Sequence, residues 1–343
     1  MKTNNNHILS AVPVSIIVPM RNSSTTVLYT LKSIIKQKYK VEKIIIVDNA
    51  STDNSIEKVK RFVGKSKIPI KIIRNKENGG VGTSYNTGVK SAKSSLVIFM
   101  HSDSSLPTNR EIEKLTKPFY HDKKIVATYS YCILPQEVWN TYNFWLKRHL
   151  VAGISRGSPG MYGKFDCVKK DIFLKIGGFD EVTYSGKYGF GGEDADLHLK
   201  LEKEGKVVLS NAKVIHLHYL GGDYTLLDWL KTRKLLARTY GRLIRFKGGS
   251  LPLNIGWKGA PRLGAVIFAI KPTLAILPFV PGIYMFGIIL LITYSLIVSI
   301  KMYTTSSTLF NPRIIFLPFI EIFLVYYETF WMIEAFFYEK KEV

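Results

Sequence analysis

Over the first hundred residues, hydrophobic positions fall into short blocks with two distinct periods. Val14–Pro19 (VSIIVP) is an unbroken apolar run rich in β-branched residues, as expected of a strand buried on both faces. Val27, Leu28, Leu31, Ile34 and Ile35 then recur at helical spacing, with Ser23–Thr26 offering N-caps. Lys43–Val47, Ile70–Ile73 and Ser95–Met100 predict three further strands, and Thr83–Ser91 a helix. Repeats of strand, helix and strand at this length predict an α/β fold with a Rossmann-like, doubly wound parallel sheet. Ligands of such sheets bind outside the carboxyl ends of the strands, and three of these strands run into polar or acidic residues.

The pattern loosens beyond Tyr120. Ser155–Gly163 is rich in Gly and Ser, and Gly177–Gly192 holds six glycines in sixteen residues, which predicts loops able to approach a ligand closely. A helix over Glu193–Glu204 follows, ended by Gly205. In residues 225–262 there are nine Lys or Arg and one acid, Asp228. Lys231, Lys234, Arg238, Arg242 and Arg245 share one helical face, while Trp229, Leu236, Tyr240, Leu243 and Ile244 lie largely on another. Such a helix reads either as a membrane-surface segment or as a solvated helix packed on the preceding domain.

Three apolar stretches come next. Gly282–Ile300 has no charge and is about 28 Å long as a helix, enough to span a bilayer. Residues 263–281 carry Lys271, Pro272, Pro278 and Pro281 and read as a span, half of a hairpin or an interfacial helix. Ile314–Tyr338 is interrupted by Glu321, Glu328 and Glu334, which need interior or interfacial positions, with Glu321 and Glu328 on one face. The expected organisation is a catalytic domain over 1–224, a basic membrane-interface segment over 225–262, two or three membrane helices over 263–338 and a tail over 339–343.

Composition narrows the function classes. The 343 residues carry 48 Lys plus Arg against 26 Asp plus Glu, a net charge of +22, which admits nucleic acid or an anionic membrane as partner. The densest excess, nine bases against one acid, directly precedes the apolar stretches, so a membrane is favoured and a nucleic-acid partner is not expected. Mean hydropathy is +0.07, the average of a polar domain and an apolar tail. Residues 1–13 lack the apolar core of a secretory signal, and the basic segment keeps the N-terminal domain on the cytoplasmic side by positive-inside logic. Cys132 and Cys167 are expected as two reduced thiols in a core.

Several polar clusters carry candidate chemistry. Asp48 follows a strand and can accept from a ribose hydroxyl or a base N–H, or form an Asx-turn with Asn49. Asn78–Gly88 (NGGVGTSYNTG) is a glycine turn at a helix start, where free N–H groups can meet phosphate. It is neither a dinucleotide fingerprint nor a Walker loop, which argues against nicotinamide cofactors and P-loop chemistry. His101-Ser102-Asp103 ends a strand and offers an imidazole and a carboxylate to a divalent ion. Glu193, Asp194 and Asp196 open a helix after the glycine loop, either as helix-dipole partners or as a source of a general base. His216 and His218 share a face at a strand end, and either is a candidate metal ligand.

In their order, VSIIVPMRN, IIIVDNASTD, the Asn-Gly-Gly loop with Asn86-Thr87-Gly88, FMHSDSSLP and IGGFDE…GFGGEDADLHLKLEKEG resemble glycosyltransferase family 2 over roughly residues 13–222. The resemblance implies an inverting enzyme of GT-A fold with a nucleotide-diphospho-sugar donor. Pro19, Arg21, Asp48, Asn78, Gly80, Asn86, Ser102 and Asp103 would then bind that donor. Asp103 matches the second acid of the family's Asp-x-Asp motif, and His101 stands where the first is usual. The implied cofactor is Mg²⁺ or Mn²⁺ on Asp103, with His101 and His216 as further ligands, and Glu193-Asp194 matches the acidic pair holding the base, Asp194 ahead of Glu193. The acceptor expected at a membrane is a polyprenyl phosphate or a lipid-linked glycan. A GT-A-like nucleotidyltransferase and a catalytically inactive membrane scaffold stand as competing readings.

Overall fold

Parallel strands covered on both faces have no polar side to show water, and β1 (Val14–Met20) is buried at every position. In the computed structural model, residues 12–154, 160–184, 192–217, 224–247, 263–304 and 306–338 are described. The chain continues through α1 (Val27–Ile35), β2 (Val41–Asp48), α2 (Ser55–Val63), β3 (Ile70–Arg74), α3 (Val81–Ser91), β4 (Leu96–Met100) and β5 (Ser104–Ser105). Next come α4 (Glu111–Thr116), α5 (Pro118–His121), β6 (Ile125–Ile133), α6 (Gln136–Thr141), α7 (Phe144–Ile154), β7 (Phe165–Lys169), α8 (Lys170–Lys175), α9 (Glu193–Glu202) and β8 (Lys206–His216). The helices α10 (Leu226–Lys247), α11 (Leu263–Ile276), α12 (Tyr284–Tyr303), α13 (Ser306–Leu309) and α14 (Leu317–Tyr338) complete it.

The chain divides into two compact units. The first comprises Met1–Cys132, Met161–Phe179 and Lys200–His218; the second comprises Ile133–Gly160, Asp180–Leu199 and Tyr219–Val343.

The first unit is built on the sheet, in the order β3-β2-β1-β4-β7-β6-β8-β5. β3, β2, β1 and β4 are parallel, as the apolar runs predict. The other half corrects the all-parallel expectation: β7 pairs antiparallel with β4 and β6, and β5 antiparallel with β8. A parallel neighbour needs a crossover helix laid on the sheet, and β8 instead buries Ser210, Ala212, Val214 and His216 at alternate positions, the period of a half-covered strand. Val14, Ile16, Val18, Ile44, Ile46, Leu96 and Ile98 form one core with Val27, Leu31 and Ile34 of α1 and Ile56 and Val59 of α2. α3 packs on β1 and β2, and an added Cβ at Gly88 would lie 2.3 Å from Ile17 Cγ2, so this helix meets its strand with no side chain between them. Beside it Tyr85, Phe99, Phe173 and Phe179 make an aromatic cluster with ring centroids 4.5–5.8 Å apart. At the start of α1, Thr26 occupies the N-cap position but its side chain makes no capping bond. Cys167 is buried as expected, whereas Cys132 is exposed, because β6 loses its cover towards its end.

The second unit solves the problem of the three glutamates. Glu321 pairs with Arg148 of α7, Glu328 with both Arg233 of α10 and Lys271 of α11, and Glu334 with Arg238 of α10. Arg148 also lies over the Trp229 ring, 5.2 Å from its centroid, and Trp229 stacks on Trp145. Burying a carboxylate is costly unless it is paired and hydrogen-bonded, and each of these carboxylates has a cation against it. The five bases expected on one face of α10 therefore divide: Arg238 holds Glu334, Lys234 sits on Trp331 and Arg242 is buried, while Lys231 and Arg245 are exposed. Of the apolar stretches, Pro312–Tyr338 is the one helix, among the described residues, long and apolar enough to cross a membrane. Tyr284–Ile300 is a shorter apolar helix, so two or three crossings are not supported. Residues 248–262, where the basic segment was expected to continue, lie outside the described residues.

The Gly88 contact has a measurable consequence. Gly88→Val should push α3 off β1 and cost about 1–3 kcal/mol or more, the range of core overpacking, read as a lowered denaturation midpoint.

Candidate active site

The loops after β1, β2, β3 and β4 meet at the carboxyl edge of the parallel strands. Asp48 ends β2 fully buried, and β3 delivers Arg74 at the same level of the sheet, with Nε 3.2 Å from Asp48 Oδ2. Asp48 Oδ1 accepts from the Ser51 N–H, three residues on, at 3.2 Å, so the same carboxylate closes the turn after β2 and forms the ion pair. Ala50 in that turn and Asn22 after β1 adopt positive φ (57° and 49°), which non-glycine residues seldom do. Asn22 is held there by its own bonds: its Oδ1 accepts from Thr52 N–H and its N–H donates to Ser51 Oγ. A pocket of about 370 Å³ opens here, lined by Ala50, Ser51, Thr52, Arg74, Asn75 and Lys76. A larger cavity of about 570 Å³ lies at the opposite edge, by Lys93, Ser95, Tyr120 and Lys170, and contains none of the predicted site residues.

Asn49 ties the loops together. Its Nδ2 donates to Asn78 Oδ1 (2.7 Å) and to the Gly80 carbonyl, while its Oδ1 accepts from Gly79 N–H and Asn75 Nδ2. Gly80, at φ 94°, takes the N-cap position of α3, a backbone conformation that side chains avoid. Asn86 is buried six residues further on in α3, where its Nδ2 donates to the Phe179 carbonyl and its Oδ1 accepts from the Phe179 N–H. Both ends of that amide hold the loop after α8. Pro19 is buried in β1, and Arg21 is exposed just beyond it. Ser102 meets Ser23 through their hydroxyls at 2.8 Å, joining the loops after β1 and β4.

The predicted ligand residues come together. Ser104 of β5 pairs with His216 of β8, and the Leu217 N–H donates to the Asp103 carbonyl at 2.7 Å. This pairing sets His216 Nε2 3.0 Å and His101 Nδ1 3.8 Å from Asp103 Oδ1. One donor atom from each of the three residues lies within 4.8 Å of the others, close enough for one ion to be shared. Burial pushes the His101 imidazole down to about 3, Asp103 opposing that shift and His216 and Lys164 adding to it. Burial and then Lys164 likewise hold His216 well below its usual range. Both rings are neutral at physiological pH and have lone pairs for a metal. The set fits a divalent cation.

Behind His101 the structure adds residues the sequence did not single out. Asp166 accepts from the Tyr162 and Gly163 N–H groups, and the Tyr85 hydroxyl donates to the Gly163 carbonyl. Gly163 has φ 67°, and a Cβ there would lie 3.2 Å from His101 Nε2. For Arg74 a signal existed, since it ends its strand as Asp48 does; for Asp166 and Lys164 there was none. His218 lies outside the described residues, as do residues 185–191 of the glycine loop. In the second unit, Glu193, Asp194 and Asp196 stand half-buried in the first turn of α9, with Gly192 at φ 102° before them. Burial, with the charges of Asp196, Asp180, Glu193 and Asp194, raises the Tyr184 hydroxyl well above its usual range.

Residues 15–177 match the family model described as Glycosyl transferase family 2. The chain carries a family 2 glycosyltransferase domain. An uncharacterized glycosyltransferase of Haemophilus influenzae is 29% identical over 206 residues, which is 55% of this chain and 62% of that protein. The UDP-Glc:alpha-D-GlcNAc-diphosphoundecaprenol beta-1,3-glucosyltransferase WfgD of Escherichia coli is 30% identical over 144 residues, 39% of this chain and 55% of that one. The matches therefore span somewhat over half the length of these relatives. Among solved structures, the mannosyltransferase PcManGT of Pyrobaculum calidifontis, in complex with GDP-Man and Mn²⁺, aligns with a TM-score of 0.56 at 16% identity, covering 95% of this chain and 88% of that chain. The family 2 domain has the GT-A fold, with the mixed sheet described above.

The two neutral histidines make the apoprotein acid-sensitive. An unfolded histidine takes up its proton near pH 6.5, but folded His101 does so only near 3, so unfolding gains protons throughout that window. Stability should fall as pH drops from about 6.5 towards 4, and His101→Gln should flatten this part of the thermal-denaturation profile.

Proposed function

We propose that the protein transfers a sugar from a nucleotide-diphospho-sugar to a membrane-associated acceptor, a polyprenyl phosphate or a lipid-linked glycan, with inversion at the anomeric carbon. The observation that carries this reading is the His101–Asp103–His216 donor set at the ligand edge of a family 2 domain. Asp48 and Arg74, beside the pocket after β2 and β3, suit the nucleoside, and Pro19, Arg21, Asn78 and Gly80 border the same edge. Ser102 and Asp103 would face the diphosphate, while Asn86 would act through the loop it holds. A divalent cation held by Asp103, His101 and His216 would neutralise charge on the leaving diphosphate. Two imidazoles with one carboxylate suit Mn²⁺ better than Mg²⁺, which prefers an all-oxygen shell.

Asp194, with Glu193 as its neighbour, takes the acceptor's proton as the acceptor oxygen bonds to the anomeric carbon. The bond from that carbon to the diphosphate oxygen breaks, and the nucleoside diphosphate leaves with the electron pair. The acceptor class is supported by the membrane character of the C-terminal helices and by the lipid-linked acceptor named for the Escherichia coli relative. In this reading residues 225–262 form a basic collar, 263–338 a membrane-associated hairpin, and the catalytic domain faces the cytoplasm.

Two measurements test the assignment. Asp194→Asn should lower transfer by about 10²–10⁴-fold, the usual worth of general base assistance, while a thermal shift by the donor persists. Near-unchanged turnover in that variant would remove Asp194 from the role. His216→Ala should weaken Mn²⁺ binding by about tenfold or more in titration calorimetry, and wild-type activity should be restored to a metal-stripped sample better by Mn²⁺ than by Mg²⁺.

A further inference from the structure

α14 has the length and composition of a crossing helix, but its neighbours constrain it. Arg233 and Arg238 of α10 hold Glu328 and Glu334 of α14, Lys234 lies 3.3 Å above the Trp331 ring, and Arg245 donates to the Phe337 carbonyl. At Gly241 the two helices meet backbone to backbone, since a Cβ there would fall 2.2 Å from the Met332 carbonyl oxygen. These partners advance together along both helices, so α10 runs beside the C-terminal half of α14. α10 carries seven Lys or Arg and a single acid, and its Lys231 side chain is 75% exposed. Exposed cations are costly in hydrocarbon, so this half of α14 cannot enter a bilayer core without carrying α10 in with it. What remains, Leu317–Tyr327, is about 16 Å long as a helix, roughly half the thickness of a hydrocarbon core. Its Glu321 in turn is tied to Arg148 of α7.

The same bundle nevertheless exposes many large apolar side chains on α12 and α14. Phe286, Ile289 and Ile297 of α12 and Phe319, Phe323 and Phe330 of α14 are each 51–69% exposed. Exposed apolar surface on this scale marks a contact with something apolar. α12 is bound into the bundle through a cluster of Leu291 with Val325, so it shares the constraint on α14.

We propose that the second unit is a monotopic anchor. The outward faces of α12 and of the N-terminal half of α14 enter one leaflet, the cations of α10 meet anionic headgroups at its surface, and the chain does not cross. Charge complementarity selects the occupant, because an apolar face beside a helix with seven bases and one acid fits an anionic lipid surface. The proposal rests on the membrane-associated reading above, but its test reads topology and not sugar transfer, so the two can fail separately.

Phe310 and Tyr338, 90% and 79% exposed, bracket α14 and serve as reporters. Phe310→Cys and Tyr338→Cys are each placed in the full chain with Cys132→Ser, which leaves buried Cys167 as background. A membrane-impermeant maleimide is then applied to intact bacterial cells and to inverted membrane vesicles. The expected result is a chain that pellets with membranes, no labelling of either cysteine in intact cells, and labelling of Tyr338→Cys in inverted vesicles. Labelling of either cysteine in intact cells would establish a crossing and overturn the proposal, and so would a chain that stays in the soluble fraction, alone or as a dimer by sedimentation. In flotation assays, vesicles of phosphatidylcholine with phosphatidylglycerol should bind about tenfold more protein than phosphatidylcholine alone, and Lys231→Glu with Arg245→Glu should remove that difference. Equal flotation of the unsubstituted chain on both vesicles would refute the role given to α10.

Discussion

A two-residue strand decides where the chemistry of this protein can occur. Ser104–Ser105 pairs antiparallel with the end of β8, and the Leu217 N–H to Asp103 carbonyl bond closes the pairing. Without that register His216 would have no reason to stand 3.0 Å from Asp103, and the ligand edge of the parallel strands would hold an imidazole and a carboxylate only. The elements around it serve to hold this junction. The Ser23–Ser102 contact joins the loop after β1 to it, and Gly163, kept free of a side chain, lets the loop before β7 close behind His101.

Electrostatics in both units follow one rule, that charge taken out of water must be neutralised or paired. At the metal-ligand cluster it is met by neutralisation: burial holds both imidazoles unprotonated, which also leaves them able to ligate. In the helical unit it is met by pairing, with Arg148, Arg233, Arg238 and Lys271 against the three glutamates of α14. The pairing changes how the terminal helix must be read. A helix that is apolar along most of its length is tied by its few charges to a strongly basic companion, and the pair together is unsuited to hydrocarbon.

How far each feature was legible depends on how local its cause is. β1–β4, α1 and α3 were readable because a strand covered on both faces must be apolar throughout, and an amphipathic helix must repeat every three or four residues. β6 and β7 escaped notice because β6 loses its cover towards its end and β7, FDCVK, buries a hydrogen-bonded aspartate, so neither reads as a continuous apolar run. Asp48, Asp103 and His101 were readable from their place at strand ends. Arg74 was legible as a strand end, but its pairing with Asp48 was not, since the two lie on different strands; Asp166 was not legible because its bonds to the Tyr162 and Gly163 N–H groups depend on a turn that the sequence pattern does not mark.

The sequence alone therefore determined the alternation of elements, the acids and histidines offered at strand ends, the family resemblance and the concentration of positive charge before an apolar tail. These are matters of local order, in which each residue is constrained by its neighbours along the chain. Only the tertiary structure decided that half the sheet is antiparallel, that His216 joins His101 and Asp103, and that the bases of α10 are divided between the glutamates of α14 and the solvent. Those outcomes depend on which distant segments share a register, and hydrogen-bond pairing and charge neutralisation settle that once the chain has folded.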